Sequence, residues 1–324
     1  MLEKPSRASR LRQRAGALLV DSFFRAASTA GRWHPNARPE RHGVEILRDL
    51  PYTDSGLPEH RLDIYRPTSS PGPWPVVLYV HGGGFRILSK DSHWIMGLAF
   101  ARRGFLVANI SYRLAPRHPY PAAVQDACGA FTWLASHAAS LGGDPGRLVL
   151  AGESAGANLV TALAVATCYR RDEPWARTVW DTGLEPRAVM PFCGLFQVSD
   201  TDRFRRRKDS LSPFIADRLR EVTDAYLRER REEPGWLDFA DPLLLFERGV
   251  RPDRELPPFF LAVGTKDPLL PDTRRLAAAL ERLGAPCEAR YYVGELHAFH
   301  ALVFRRSARR CWSDAYAFLD RWIG

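Results

Sequence analysis

Gly152-Glu153-Ser154-Ala155-Gly156 constrains this chain more than any other segment. Four apolar residues, Leu148 to Ala151, run into it, and an apolar stretch from Ala157 to Tyr169 leaves it. The pattern is strand, sharp turn and helix, with a serine at the tip. So tight a turn leaves little room for side chains, which explains Gly at both ends and Ala after the serine. Such a turn is a nucleophile elbow, which lifts a serine hydroxyl to where a substrate can reach it. Because five residues of this pattern also arise by chance, the remainder of the chain has to carry the reading.

The alternation around the elbow gives the fold class. Val44 to Leu50 and His60 to Tyr65 read as two early strands, separated by a turn at 54–58. Pro75 to Val80 and Phe105 to Ile110 are continuous apolar runs, the kind buried on both faces of a sheet. Helices are expected over about 91–102, 121–139, 272–283 and 308–322, with further strands over 187–193, 259–264 and 287–293. Repeated strand–helix units imply an α/β fold, with a mostly parallel sheet covered on both faces. Between Gln197 and Glu255 the rhythm stops, and polar, aromatic and charged residues take over. That segment is expected to be an inserted cap. Upstream, Leu11, Leu18, Leu19, Phe23 and Ala26 fall near helical spacing, which predicts an amphipathic helix packed on the body. The apolar run there is only six residues long before Asp21, too short for a secretory core.

Composition narrows the class. The 324 residues are 45% hydrophobic and 26% charged, which suits one large globular α/β domain with an appended cap. No apolar run reaches membrane-spanning length, so no stable membrane insertion is expected. The formal net charge is +9, and only four of the 46 basic residues are lysine. The basic runs, Arg203 to Lys208 and Arg305-Arg306 with Arg309-Arg310, are short and read as solvated surface, not as a nucleic-acid footprint. Five cysteines without paired spacing suggest reduced, mostly buried thiols and a cytoplasmic setting.

His81-Gly82-Gly83-Gly84-Phe85 follows the strand that ends at Val80. Three glycines there let the backbone approach a ligand and turn N–H groups toward it. With the N–H of Ala155, they would hold the negative charge that develops on a carbonyl oxygen during acyl transfer. A serine hydroxyl is a poor nucleophile without a base. His297 and His300 both follow the last strand and compete for that role, while His34, His42, His60, His93, His118 and His137 are scattered and read as surface or structural. No third ligand at suitable spacing supports a zinc site on that histidine pair. The base needs a carboxylate to hold its tautomer. Asp267 sits just beyond the strand 259–264, whereas Asp272 is placed to cap the next helix and Asp241 falls within the insert.

With these residues in place, the chain resembles the hormone-sensitive-lipase-like family of α/β-hydrolase carboxylesterases, over roughly residues 44–323. HGGGF at 81–85, YRLAPRHPYPAAVQDA at 112–127, GESAG at 152–156, GTKDPLLPD at 264–272 and ELHAFH at 295–300 carry the resemblance. It implies Ser154 as nucleophile, Asp267 as acid and His297, the first histidine of its loop, as base. It implies Gly83, Gly84 and Ala155 as oxyanion donors, with His81 and Gly82 in support. The chain departs from the family pattern at Arg117, Glu153 and Ala298, where Glu, Asp and Gly are commoner.

The resemblance also implies N-terminal cap helices over 1–43, a catalytic domain over 44–196 and 256–324, and an inserted cap over 197–255. Tyr112, Arg113 and Asp126 are read as structural, with an Arg–Asp pair holding the loop after the strand. The expected function is hydrolysis of short- to medium-chain acyl esters, with a small-molecule ester substrate, no metal or organic cofactor, no nucleic acid and a possible homodimer. Lactone or amide hydrolysis, acyl transfer and a non-catalytic receptor are the alternatives on the same residues. Trp175, Trp180, Phe196, Phe204, Phe214, Trp236, Phe239 and Phe246 are candidates for an apolar pocket under the cap and equally for aromatic core packing.

Overall fold

The computed structural model describes residues 16, 21–22, 26, 28–207, 211–228, 233 and 235–323. Eight strands form one sheet: β1 (Val44–Pro51), β2 (Arg61–Pro67), β3 (Trp74–Val80), β4 (Leu106–Ile110), β5 (Gly143–Glu153), β6 (Ala188–Phe192), β7 (Phe259–Gly264) and β8 (Cys287–Tyr292). Their spatial order is β1-β2-β4-β3-β5-β6-β7-β8. The pairs β1–β2 and β2–β4 are antiparallel, and the others are parallel. Every residue of β4, β6 and β7 is buried, which their unbroken apolar sequences require of strands covered on both faces.

The helices divide between the two faces. Helix α1 (Trp94–Ala101) and the C-terminal helix α9 (Arg306–Ile323) pack with Val77, Tyr79, Val107, Met190 and Phe260 in one core. Helices α2 (Ala122–His137), α3 (Ala155–Cys168), α4 (Pro174–Asp181), α7 (Pro242–Glu247) and α8 (Leu270–Arg282) contribute to the other, with Val76, Leu78, Leu150 and Leu261. The predicted elements stand within a few residues of their expected places. The sequence reading passes over α4: its length is eight residues and only Ala176 and Val179 are buried, so its apolar signal is short.

Among the described residues, three helices, α5 (Arg203–Arg207), α6 (Pro213–Tyr226) and α7, interrupt the alternation between β6 and β7. Buried electrostatics tie this insert to α8 and to itself. The carboxylate of Asp272, in the first turn of α8, pairs with the Arg203 guanidinium and accepts the N–H groups of Phe196 and Gln197. Asp241 accepts the N–H groups of Val198 and Ser199. Arg203 is 7% exposed, so the basic run it opens is not wholly solvated surface, as its sequence suggested. A short run cannot reveal that a buried carboxylate waits 69 residues downstream.

Most of the aromatic residues proposed for a pocket serve the core. Phe196, Phe239 and Phe246 are fully buried in it, Trp175 packs edge-on to Phe239 at 4.5 Å, and Trp180 lies under the Arg254 guanidinium. Phe214 is instead exposed. The five thiols are all free, four of them buried. Leu11, Leu18, Leu19 and Phe23 of the expected N-terminal helix lie outside the described residues. Nearby, Gly16 is buried against the Arg218 side chain, and Asp21 accepts the N–H of Leu88. Among the described residues, no helix is long and apolar enough to cross a membrane.

Removing one partner of the Asp272–Arg203 pair leaves a charge buried without compensation. Asp272→Ala is therefore expected to cost about 3–5 kcal/mol of unfolding free energy in urea titration. A loss under about 1 kcal/mol would mean that the insert is held by its apolar contacts alone.

Candidate active site

The carboxyl ends of the parallel strands share one edge of the sheet, and the chemistry-bearing residues leave from those ends. The glycine loop follows β3, Ser154 follows β5, Cys193 follows β6, Asp267 follows β7 and His297 follows β8. Ligands on open α/β sheets bind at this edge because strands deliver loops and helix N-termini to it.

Ser154 has φ 56° and ψ −114°, a conformation rare for any residue with a side chain. Its N–H donates to the Phe192 carbonyl at 2.9 Å, and its carbonyl accepts the N–H of Asn158 at 3.2 Å. Helix α3 starts at Ala155, so the first N–H groups of that helix point toward the serine with no intrahelical partner. Gly156 permits this placement: a Cβ on it would meet the Val80 carbonyl oxygen at 2.0 Å.

The hydroxyl and its two proposed partners form one chain. Ser154 Oγ lies 3.1 Å from His297 Nε2, and His297 Nδ1 lies 2.9 Å from Asp267 Oδ2. The other Asp267 oxygen accepts the Leu269 N–H at 2.8 Å, which fixes the carboxylate. Nδ1 therefore donates to the carboxylate, and Nε2 is left to accept from the serine. Burial pulls the His297 pKa down, but the Asp267 carboxylate beside it outweighs that, and the imidazole titrates well above its ordinary 6.5. His300 is not part of this chain. It is buried behind the site, stacked on Phe192 at 4.9 Å, and burial followed by the charges of His297 and His93 lowers its pKa to about 3.

The glycine loop lies beside the elbow, with Gly83 at φ 109° and Gly84 at φ 60°. The His81 ring stacks on Tyr112 at 4.3 Å, and its Nδ1 contacts the Gly82 carbonyl. The Tyr112 hydroxyl donates to the His81 carbonyl at 2.9 Å. Arg113 and Asp126 pair at 2.6 Å, as expected of structural residues.

Sequence reasoning missed what holds the loop from below. Glu153, the variable residue of the elbow, accepts the Gly82 N–H on Oε1 and meets His93 Nε2 at 2.8 Å. The Ser92 hydroxyl donates to the Ser89 carbonyl, so His93 Nδ1, beside both, has to be the donor on that side. Nε2 and the carboxyl then share a single proton. Burial raises Glu153 to about 8, against the Gly82 N–H and His297, and burial lowers His93 to about 4. Burial thus pushes each partner toward its uncharged form. The signal for Glu153 was its place in the elbow; His93 gave none, because 60 residues separate the two.

The comparisons with known proteins agree with this architecture. A family described as the alpha/beta hydrolase fold matches residues 77–301. A carboxylesterase from Mycobacterium tuberculosis, NlhH, is 30% identical over 283 residues, 84% of this chain and 83% of its own length. An acetyl esterase from Salmonella schwarzengrund is 31% identical over 242 residues, covering 74% of this chain and 68% of the relative. The crystal structure of an esterase from the bacterial hormone-sensitive lipase family superposes with a TM-score of 0.68 at 25% identity, covering 87% of this chain and 86% of the other.

The three histidines around the elbow should separate in imidazole nitrogen NMR. His297 is expected to titrate above 6.5, while His93 and His300 stay neutral from pH 5 to 8. A common midpoint near 6.5 would mean that water reaches all three.

Proposed function

Because this chain belongs to the hormone-sensitive-lipase-like branch of the α/β hydrolases and is an esterase by family, we propose that it hydrolyses carboxylic esters through Ser154, His297 and Asp267. The observation that carries this reading is the hydrogen-bond chain from Ser154 Oγ through the His297 ring to Asp267, at 3.1 and 2.9 Å. Ser154 attacks the ester carbonyl while His297 Nε2 takes its proton. Asp267 holds the tautomer and stabilises the imidazolium. The N–H groups of Gly83, Gly84 and Ala155 receive the oxyanion, and the positive end of α3 adds to their field. His297 then returns its proton to the departing alcohol. Water attacks the acyl-enzyme by the same route and releases the acid. None of these steps requires a metal or an organic cofactor.

Residues 197–255 and the N-terminal segment form a cap over this site in the same reading. Phe85, which ends the glycine loop, stacks on Tyr226 of α6 at 3.9 Å, and Arg86 pairs with Glu221 of that helix. Val222 stands so close to Gly84 that a Cβ there would meet its Cγ2 at 2.8 Å. The roof over the oxyanion side is therefore low, which supports short- to medium-chain acyl groups. The acetyl esterase among the relatives points the same way.

Hydrolysis of p-nitrophenyl esters from acetyl to palmitoyl tests the reading. Activity is expected to peak at short chains and to fall by about 10⁴-fold or more in Ser154→Ala and in His297→Ala, with both variants folded. Retained turnover in Ser154→Ala would overturn the assignment. The base works only when neutral, so a raised His297 pKa moves the acid limb of kcat/KM above 6.5, higher than an unperturbed histidine gives. A rate that is flat from pH 5 to 8 would exclude a histidine base.

A further inference from the structure

The sheet topology places one more group at the site. β6 lies between β5, which delivers Ser154, and β7, which delivers Asp267, and Cys193 is the residue that leaves its carboxyl end. Cys193 has φ 40°, and its N–H donates to the Ala262 carbonyl of β7 at 2.8 Å, which holds the residue at that edge. Its sulfur, a nitrogen of His297 and a carboxylate oxygen of Asp267 all lie within 4.8 Å of one another. The proposed hydrolysis uses the histidine and the carboxylate but gives the thiol no task.

We infer that Cys193, His297 and Asp267 form a binding site for a thiophilic divalent cation, such as Zn²⁺, Cd²⁺ or Co²⁺, whose occupation switches the enzyme off. Thiolate, imidazole and carboxylate are the ligand set such ions take, with water in a fourth, open position. Ligand atoms on a tetrahedral ion stand roughly 3–4 Å apart, so shifts of about an ångström bring these three onto one ion. Nδ1 is the nitrogen such an ion takes, because it already faces Asp267 at 2.9 Å.

The protons balance as follows. The ion displaces the thiol proton, which leaves to solvent. On a neutral imidazole the Nδ1 proton moves to Nε2, and on an imidazolium it leaves to solvent, so the bound ring is in either case neutral with its proton on Nε2. Two positive charges then meet one thiolate and one carboxylate, and the occupied site carries no net charge, which suits its burial. A His297 that carries its proton on Nε2 cannot accept one from Ser154. Loss of activity thus follows from the tautomer alone and rests on the proposed role of His297; binding of the ion does not. Entry is past the imidazole, whose side chain is 36% exposed, whereas Cys193 and Asp267 lie behind it. One proton is released per ion when the imidazole is neutral and two when it is protonated, so affinity rises with pH.

The test is a Co²⁺ titration of the full chain, wild type and Cys193→Ala, read by absorption and in parallel by p-nitrophenyl acetate hydrolysis. In the wild type a thiolate-to-cobalt charge-transfer band and tetrahedral d–d bands are expected to grow to one equivalent, as activity falls, and EDTA is expected to restore it. Cys193→Ala should keep the basal rate, lose the charge-transfer band and require about tenfold more Co²⁺ or higher for the same inhibition. Should Cys193→Ala not fold, Cys193→Ser, which keeps the shape and replaces the soft ligand, gives the same comparison. Absence of the band in the wild type, or its persistence in the folded variant, overturns the site. Inhibition that is identical in both proteins overturns it equally, because the metal then acts elsewhere. The absorption readout needs no turnover, so a chain that binds Co²⁺ through Cys193 yet hydrolyses no ester would retain the site and refute the esterase reading instead.

Discussion

Gly156 and Gly152 press against the end of β3, where a Cβ on either would meet the Val80 carbonyl oxygen, at 2.0 and 2.6 Å. This backbone-on-backbone contact sets everything above it. It lets α3 start directly over the sheet, which forces Ser154 into a left-handed φ and leaves its hydroxyl raised. It also brings the glycine loop after β3 alongside the first turn of α3, so that the two sources of N–H groups converge. The conformational cost of a strained serine, of order 1–3 kcal/mol, is offset by the fully buried helix that follows it. A side chain larger than hydrogen at Gly156 would separate helix from strand and move the nucleophile away from both its base and its oxyanion donors.

The second layer of order is the attachment of the insert. Two of its attachments to the catalytic body lie beside the loops of the site. Arg203 on Asp272 fixes α5 to the helix that follows the acid loop. Tyr226 on Phe85 and Glu221 on Arg86 fix α6 to the residues that follow the glycine loop. The insert thus touches the chain immediately after both the oxyanion loop and the carboxylate loop. Displacement of the insert would therefore be felt at both, through packed rings at one and a buried ion pair at the other.

Much of this was legible in the sequence, and the limits have physical causes. The strands of the sheet announced themselves because burial on both faces demands unbroken apolar runs, as in Phe259 to Gly264. The elbow and the glycine loop were legible because backbone conformations with positive φ or close approach select glycine. Ser154, Asp267 and His297 stand where strand ends deliver them. What the sequence hid were pairs distant along the chain whose members look ordinary alone: Glu153 with His93, Arg203 with Asp272 and Cys193 with His297. His93 and Arg203 were read as surface or structural residues, because neither periodicity nor spacing carries information about a partner on another element.

The histidines at this edge show how environment alone divides one residue type into separate roles. His297 faces a carboxylate across 2.9 Å, and that charge overrides the effect of burial and holds the ring basic. His93 also faces a carboxyl group, at 2.8 Å, yet the outcome is opposite. The difference lies in the carboxyls. Asp267 accepts a backbone N–H on one oxygen and the His297 ring on the other. Glu153 receives both the Gly82 N–H and His93 on the same oxygen, and its second oxygen is buried without a hydrogen-bond partner. Deep burial with hydrogen bonds on one oxygen only favours the protonated carboxyl, and burial likewise favours a neutral His93. The result suits the adjacent chemistry: a neutral pair beneath the glycine loop adds no negative charge where an oxyanion has to form, while the one carboxylate the proposed reaction needs stands behind its base.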